Sequence, residues 1–178
     1  MPTAIQKFLQ GMAAAIHLRN RAVERRSALE CIVLQGNLID GCLRIGLVLK
    51  AQLDSRTNAI DDSLLRQEDS DAKLTERELY TRCLKADVIE RALFEDLSAA
   101  YYKRNKCIHR YLLSDIDYDY ATQLVFEIDG LLERVIAAVK ALEEQQIKLG
   151  VGMTTVGPAV TKGFLKEFAT KKEKRYNL

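Results

Sequence analysis

Residues 22–53 read AVERRSALECIVLQGNLIDGCLRIGLVLKAQL, and the fold class follows from how this stretch is patterned. Leu29, Ile32, Val33, Leu38, Ile39, Ile45, Leu47, Val48 and Leu49 recur at helical spacing, with no competing period-two alternation. The spacing predicts one long, inward-facing helix from about 22 to 53. Gly36, Gly41 and Gly46 interrupt it, each costing roughly 1 kcal/mol against Ala in a helix interior. A close neighbour should therefore pack against the glycine positions and compensate. Pro2 and Pro158 are the only prolines, so nothing between them forbids long helices.

Outward from this segment, residues 54–74 are polar and turn-rich apart from Leu64-Leu65, which predicts a connecting loop with at most one helical turn. Thr75 followed by Glu78 is a capping-box pattern, and Asp87 with Glu90 repeats it. Two helices are expected, over 76–86 and 88–113. Ser114-Asp115-Ile116-Asp117 breaks the run, and Asp117 can cap a last helix over 118–149. The stripe Leu124, Ile128, Leu131, Leu132, Val135, Ile136, Val139 and Leu142 faces that helix inward. The expectation is an all-α, antiparallel bundle of four to five helices in a domain over 1–149. Residues 150–178, opened by Gly150 and Gly152 and ending in Lys171-Lys172-Glu173-Lys174-Arg175, read as a basic C-terminal extension.

A chain of 178 residues with 48% hydrophobic content can bury one good core but not two ordinary ones. Its net charge of +2 divides unevenly: from Lys162 onward the balance is +4, and the remainder carries −2. A mildly acidic body does not coat long duplex DNA through counterion release, so any polyanion must be met locally. The basic end is more simply a solvated terminus than an RNA-binding one. Cys31, Cys42, Cys83 and Cys107 are scattered, with neither C-x-x-C spacing nor a Cys/His cluster for zinc. Three of the four lie inside helical patterns, where a thiol behaves as a small buried hydrophobe, and a reducing, cytoplasmic setting is expected, with no metal and no cofactor. Met1-Pro2-Thr3-Ala4 has no charged leader, so no secretory signal is expected. Asp40, Arg44 and Lys140 break the longest apolar runs short of the ~20 residues that span a bilayer, so no membrane association is expected.

The densest polar chemistry is Lys103-Arg104-Asn105-Lys106-Cys107-Ile108-His109-Arg110-Tyr111. Asn105 and His109 are four apart and share a helix face, and Arg104 and Tyr111, seven apart, share another. RNA cleavage needs a group that exchanges a proton near neutrality and a fixed cation for the phosphoryl oxygens. His109 supplies an imidazole for the first need. Arg104 supplies a planar fork for the second. Asn105 can hold the imidazole or the phosphate, Lys106 and Arg110 add positive charge, and Tyr111 can bond a phosphate or stack on a base. Cys107, inside the cluster, is better read as a packed thiol than as a nucleophile. Arg104 and His109, five apart, point roughly 140° away from each other. Two copies related by a twofold axis could complete a shared cleft, which makes a homodimer part of the expected mechanism.

Arg104-Asn105-Lys106-Cys107-Ile108-His109 resembles the R-N-x-x-x-H signature of HEPN ribonucleases, and Arg110-Tyr111 extends it to R-x4-H-x-Y. The order of helices over about 20–149 is similar as well, so the bundle is expected to be HEPN-like. The resemblance implies a metal-independent endoribonuclease. The extended motif looks like the toxin of toxin–antitoxin pairs in which a minimal nucleotidyltransferase antitoxin transfers AMP to the motif tyrosine, here Tyr111. It also implies a polar residue from a preceding helix beside the motif, with Asn37 and Asp40 as the candidates. Asp40 could orient His109 or meet Arg104, or could simply pair with Arg44 four residues on. The alternative function is a catalytically silent helical module that binds a nucleotide or a partner protein through the same face.

Overall fold

The computed structural model describes residues 3–66 and 74–156, and every regular element among them is helical. The helices are α1 (Ala4–Glu24), α2 (Ala28–Ser55), α3 (Glu76–Lys85), α4 (Arg91–Arg110), α5 (Tyr118–Leu149) and the short α6 (Met153–Val156). Single 3-10 turns lie at Asp62–Leu64 and Tyr111–Leu113. The basic stretch from Lys162 onward falls outside the described residues.

The expected helix over 22–53 is in fact the end of one helix and the whole of the next. Ser27 N–H bonds the Ala22 carbonyl at 2.9 Å and Arg26 N–H bonds that of Val23 at 3.0 Å, with Arg26 left-handed at φ 55°. This is a Schellman closure, a position usually held by glycine. Here arginine holds it, so the sequence shows no stop signal. Upstream, α1 opens on a capping box between Thr3 and Gln6. This helix lies outside the elements that the apolar spacing predicts.

Cap chemistry decides the other boundaries. The Thr75–Glu78 box opens α3, and the Asp117 carboxylate accepts the Tyr120 N–H at the start of α5, both as the sequence predicts. The proposed Asp87–Glu90 box does not form. Asp87 instead sits left-handed at φ 53° and closes α3, with Val88 N–H bonded to the Cys83 carbonyl at 2.9 Å. Consequently α4 starts at Arg91, behind a Glu90 whose side chain makes no cap bond.

α2 is the axis of the bundle: every residue from Gly41 to Leu49 is buried. A helix apolar on all sides belongs in a core. Leu29 and Val33, in its first turns, are exceptions to the expected inward stripe, being 39% and 41% exposed. By length and composition α2 could also cross a membrane, contrary to the reading that Asp40 and Arg44 interrupt it. Yet 72% of its most apolar window is buried by the surrounding helices, as in the core helix of a soluble protein. Neighbours joined by short turns run antiparallel: Met12 of α1 lies on Gly41, and Lys103 and Asp96 of α4 bond Glu127 and Arg134 of α5. α2 and α5 run in the same direction, since Gln35 meets Val125 and Gln52 meets Gln146.

The three glycines of α2 behave as the close-packing expectation requires. A Cβ would lie 2.7 Å from the Arg104 Nη1 at Gly36, 3.1 Å from the Met12 side chain at Gly41 and 2.6 Å from Val88 Cγ1 at Gly46. All four cysteines are free and buried.

Candidate functional site

The buried residues Leu93, Leu97, Ala100 and Cys107 fix the rotation of α4 about its axis. At 100° per residue, Arg104 then lies beside the core-facing line, while Asn105 and His109 point away from it. Arg104 is held between α2 and α3. Its Nη1 and Nη2 donate to the two carboxylate oxygens of Glu76, each at 2.6 Å, a two-pronged bond of the strong kind. Nη2 also reaches Asn105 Oδ1 at 3.3 Å, and the guanidinium carbon lies 5.2 Å from the centre of the Tyr101 ring. The absent side chain of Gly36 makes room for Nη1.

Glu76 stands on the first turn of α3, right after the capping Thr75, where a carboxylate is favoured by the helix dipole. It also accepts a bond from the Tyr80 hydroxyl. Burial first, and the Glu76 charge second, push the Tyr80 phenol well up, so it stays a donor. For Arg104, burial pulls the guanidinium down, and the Glu76 hydrogen bonds and charge outweigh that pull to leave a net upward shift. Two short bonds and the surrounding burial thus join Arg104 to Glu76 in this conformation. Beside the pair the free space is only about 10 Å³, enough for one water at most. Among the described residues, that niche is too small for a phosphate.

The rest of the motif faces solvent. Lys106, His109 and Arg110 are exposed and have no hydrogen bond or ion pair to any described residue through their side chains. Lys103, by contrast, bonds both carboxylate oxygens of Glu127 at 2.8 Å. Tyr111 opens the 3-10 turn, half-buried and packed on the core, and the next two residues, Leu112 and Leu113, are 91% and 85% exposed.

The supporting residues proposed on α2 lie elsewhere. Asp40 Oδ2 accepts from Arg44 Nε at 2.6 Å, and Arg44 in turn bonds the Leu64 carbonyl at 2.9 Å. Asp40 therefore pairs locally and tethers the connector after α2 rather than orienting His109 or Arg104. Asn37 is exposed, with no side-chain hydrogen bond to a described residue. The polar partner of the motif is Glu76, which the sequence did not single out. Its only signal there is an acidic residue in a capped first turn, and nothing local links it to a residue 28 positions later.

Among the described residues no three His, Cys, Asp or Glu side chains gather to hold a metal ion. Comparison of the chain with family models, with curated proteins and with solved structures finds no match.

Proposed function

We propose that the chain is a metal-independent endoribonuclease of the HEPN kind, a cytoplasmic toxin that acts as a homodimer and is neutralised by a nucleotidyltransferase antitoxin. The observation that carries the reading is the outward turn of α4, where His109, Lys106 and Arg110 reach solvent beside the exposed Leu112 and Leu113. An imidazole among free cations suits a phosphodiester, and two bare leucines beside it suit a second copy of the same helix end.

In this reading the His109 imidazole takes the proton of a ribose 2′-hydroxyl. The 2′-oxygen attacks the adjacent phosphorus, the bond to the 5′-oxygen breaks, and that oxygen takes a proton from water, which the protonated His109 then restores. A 2′,3′-cyclic phosphate and a 5′-hydroxyl result, and no cofactor enters the balance. Arg104, from the partner copy, stabilises the charge on the phosphoryl oxygens. One Nη group must turn from Glu76 to the phosphate for this, so Glu76 holds the fork rigid and competes with substrate for it. AMP on Tyr111 would add charge and bulk beside the cleft and silence it. Intact mass after co-expression with the antitoxin, searched for AMP on Tyr111, tests that part.

The test of the nuclease is incubation of the purified chain with RNA in EDTA. Cleavage should survive chelation, yield cyclic-phosphate ends, and fall at least about 100-fold in both Arg104→Ala and His109→Ala. Activity that persists in those variants would remove the assignment. The two-pronged Arg104–Glu76 bond, with its filled surroundings, favours a second reading: a catalytically silent module that binds a nucleotide or a partner protein through the exposed turn. Absence of cleavage with retained partner binding would select it.

A further inference from the structure

Tyr102 lies seven residues before His109 on α4, so at 100° per residue the two side chains leave the helix on nearly the same line, about 10 Å apart along its axis. Lys106 falls between them, and all three are exposed. The core-facing residues Leu93, Leu97, Ala100 and Cys107 lie on the opposite side of the helix. Tyr102 is 58% exposed, yet its ring has two neighbours that fix it. The Arg77 guanidinium of α3 lies 5.7 Å from the ring centre, and the Tyr101 ring meets it edge-on at 5.6 Å. Tyr101 in turn lies under the guanidinium of Arg104.

The Arg77 side chain makes no hydrogen bond or ion pair to a described residue. A guanidinium seated on a ring keeps its N–H edge for an anion. Beside it a broad recess of about 630 Å³ opens on the outer face of α3, with Arg77, Arg82 and Lys85 in its wall and Glu78 as its one acid among the described residues. Glu78 is already engaged, accepting from the Thr75 N–H and hydroxyl at 2.8 Å. Other acids close to the ridge are engaged as well: Glu76 holds Arg104, and Glu127 holds Lys103. Glu95, exposed on the same line seven residues before Tyr102, ends the cationic part of the ridge on that side.

We propose that single-stranded RNA runs along this ridge, with a base beside the scissile bond stacked on Tyr102, the phosphate next to that base held by Arg77, and Lys106 meeting the phosphate between Tyr102 and His109. Stacking on a tyrosine tolerates any sequence, since every base has a flat face. A duplex cannot use the ring, because its bases are already paired and stacked. Cations without counter-ions beside an exposed ring match a polyanion that carries flat bases. The proposal rests on the nuclease reading for the cut at His109, and on Tyr102 and Arg77 alone for binding.

The test uses the full chain with His109→Ala, in EDTA, so that RNA is bound and not cut. The probe is a labelled, unstructured RNA of about ten nucleotides, followed by fluorescence anisotropy beside a duplex of the same sequence. The single strand should bind at least about tenfold more tightly than the duplex. Adding Tyr102→Ala should weaken binding at least about fivefold, whereas Tyr102→Phe, which keeps the ring, should stay within about twofold. Arg77→Ala should lower the slope of log affinity against log salt by about 0.7, the share of one phosphate, and Tyr102→Ala should leave that slope unchanged. Both positions are exposed, and circular dichroism checks that each variant keeps its helices.

Binding that Tyr102→Ala leaves intact, a phenylalanine as harmful as the alanine, or a duplex held as tightly as the single strand would overturn the proposal. So would the absence of RNA binding. If sedimentation shows fewer copies in Tyr102→Ala than in the parent, the ridge is a contact between copies, and the proposal is again overturned. Cleavage by the parent chain, measured alongside, separates this site from the nuclease reading. RNA held through Tyr102 but never cut would sink the nuclease and keep the site, and cleavage with binding indifferent to Tyr102 would do the reverse.

Discussion

At the scale of single residues, the position of Arg104 depends on a residue with no side chain. Gly36 leaves the space into which Nη1 fits, and a methyl group there would come within 2.7 Å of it. Gly36→Ala gains roughly 1 kcal/mol of helix propensity, and the obstructing atom is the end of a long side chain that can move. The expected outcome is therefore a melting temperature near that of the parent, with Arg104 displaced from Glu76 and cleavage lowered at least about tenfold. Calorimetry beside the chelated RNA assay checks both halves. A large loss of stability would mean that the guanidinium cannot leave its seat. The motif from Arg104 to Tyr111 is readable from residue types and spacing alone. Its counter-ion is not, because Glu76 meets it only through the packing of α3 against α4. Asp40 misled for the same reason: on paper it is one of several polar residues on α2, and only the fold shows that Arg44 and the Leu64 carbonyl claim it.

At the scale of elements, legibility follows cap chemistry. The Thr75–Glu78 box and the Asp117 cap bond their own backbone nearby, so local sequence is enough to place the starts of α3 and α5. The ends after α1 and α3 place Arg26 and Asp87 in the left-handed conformation. With glycine absent from both, local sequence carries no stop between α1 and α2, and Asp87 has the pattern of a helix cap. Where Gly150 does occupy such a position, at φ 65°, the end of α5 is legible in the sequence. α5 also carries a titratable group with a readable consequence. Burial of Glu143, opposed by Lys140, pushes its carboxyl from 4.5 up to about 7. A folded value above the unfolded one means stability that is fully present below about pH 4.5 and is lost as pH rises through about 7. The chain should thus lose roughly 1–3 kcal/mol between pH 5 and pH 8 from this group. Glu143→Gln should remove that loss, raising the melting temperature at pH 8 and leaving it nearly unchanged at pH 4.5. Equal shifts at both pH values would exclude the carboxyl as the cause.

At the scale of the whole molecule, one copy of the chain does not bring together the two groups that the proposed nuclease needs. His109 faces outward from α4, while Arg104 is turned toward α2 and α3 and bound to Glu76. The exposed Leu112 and Leu113, immediately after α4, offer the surface on which a second copy would close the cleft. Leu113→Asp is expected to give a monomer by sedimentation, to leave the helical signal intact and to abolish cleavage. A monomeric variant that still cuts RNA would place both groups in one copy. The helical bundle is legible from periodicity, whereas the proposed pairing of two copies rests in the sequence only on the angle between two side chains of one helix.

The most direct measurement mixes Arg104→Ala protein with His109→Ala protein, each inactive alone, under conditions that exchange subunits. If each cleft takes Arg104 from one copy and His109 from the other, half of the dimers are mixed and each mixed dimer keeps one intact cleft of its two. Cleavage in EDTA should then return to about a quarter of the parent rate. A mixture that stays inactive while mass spectrometry shows mixed dimers would contradict the shared cleft.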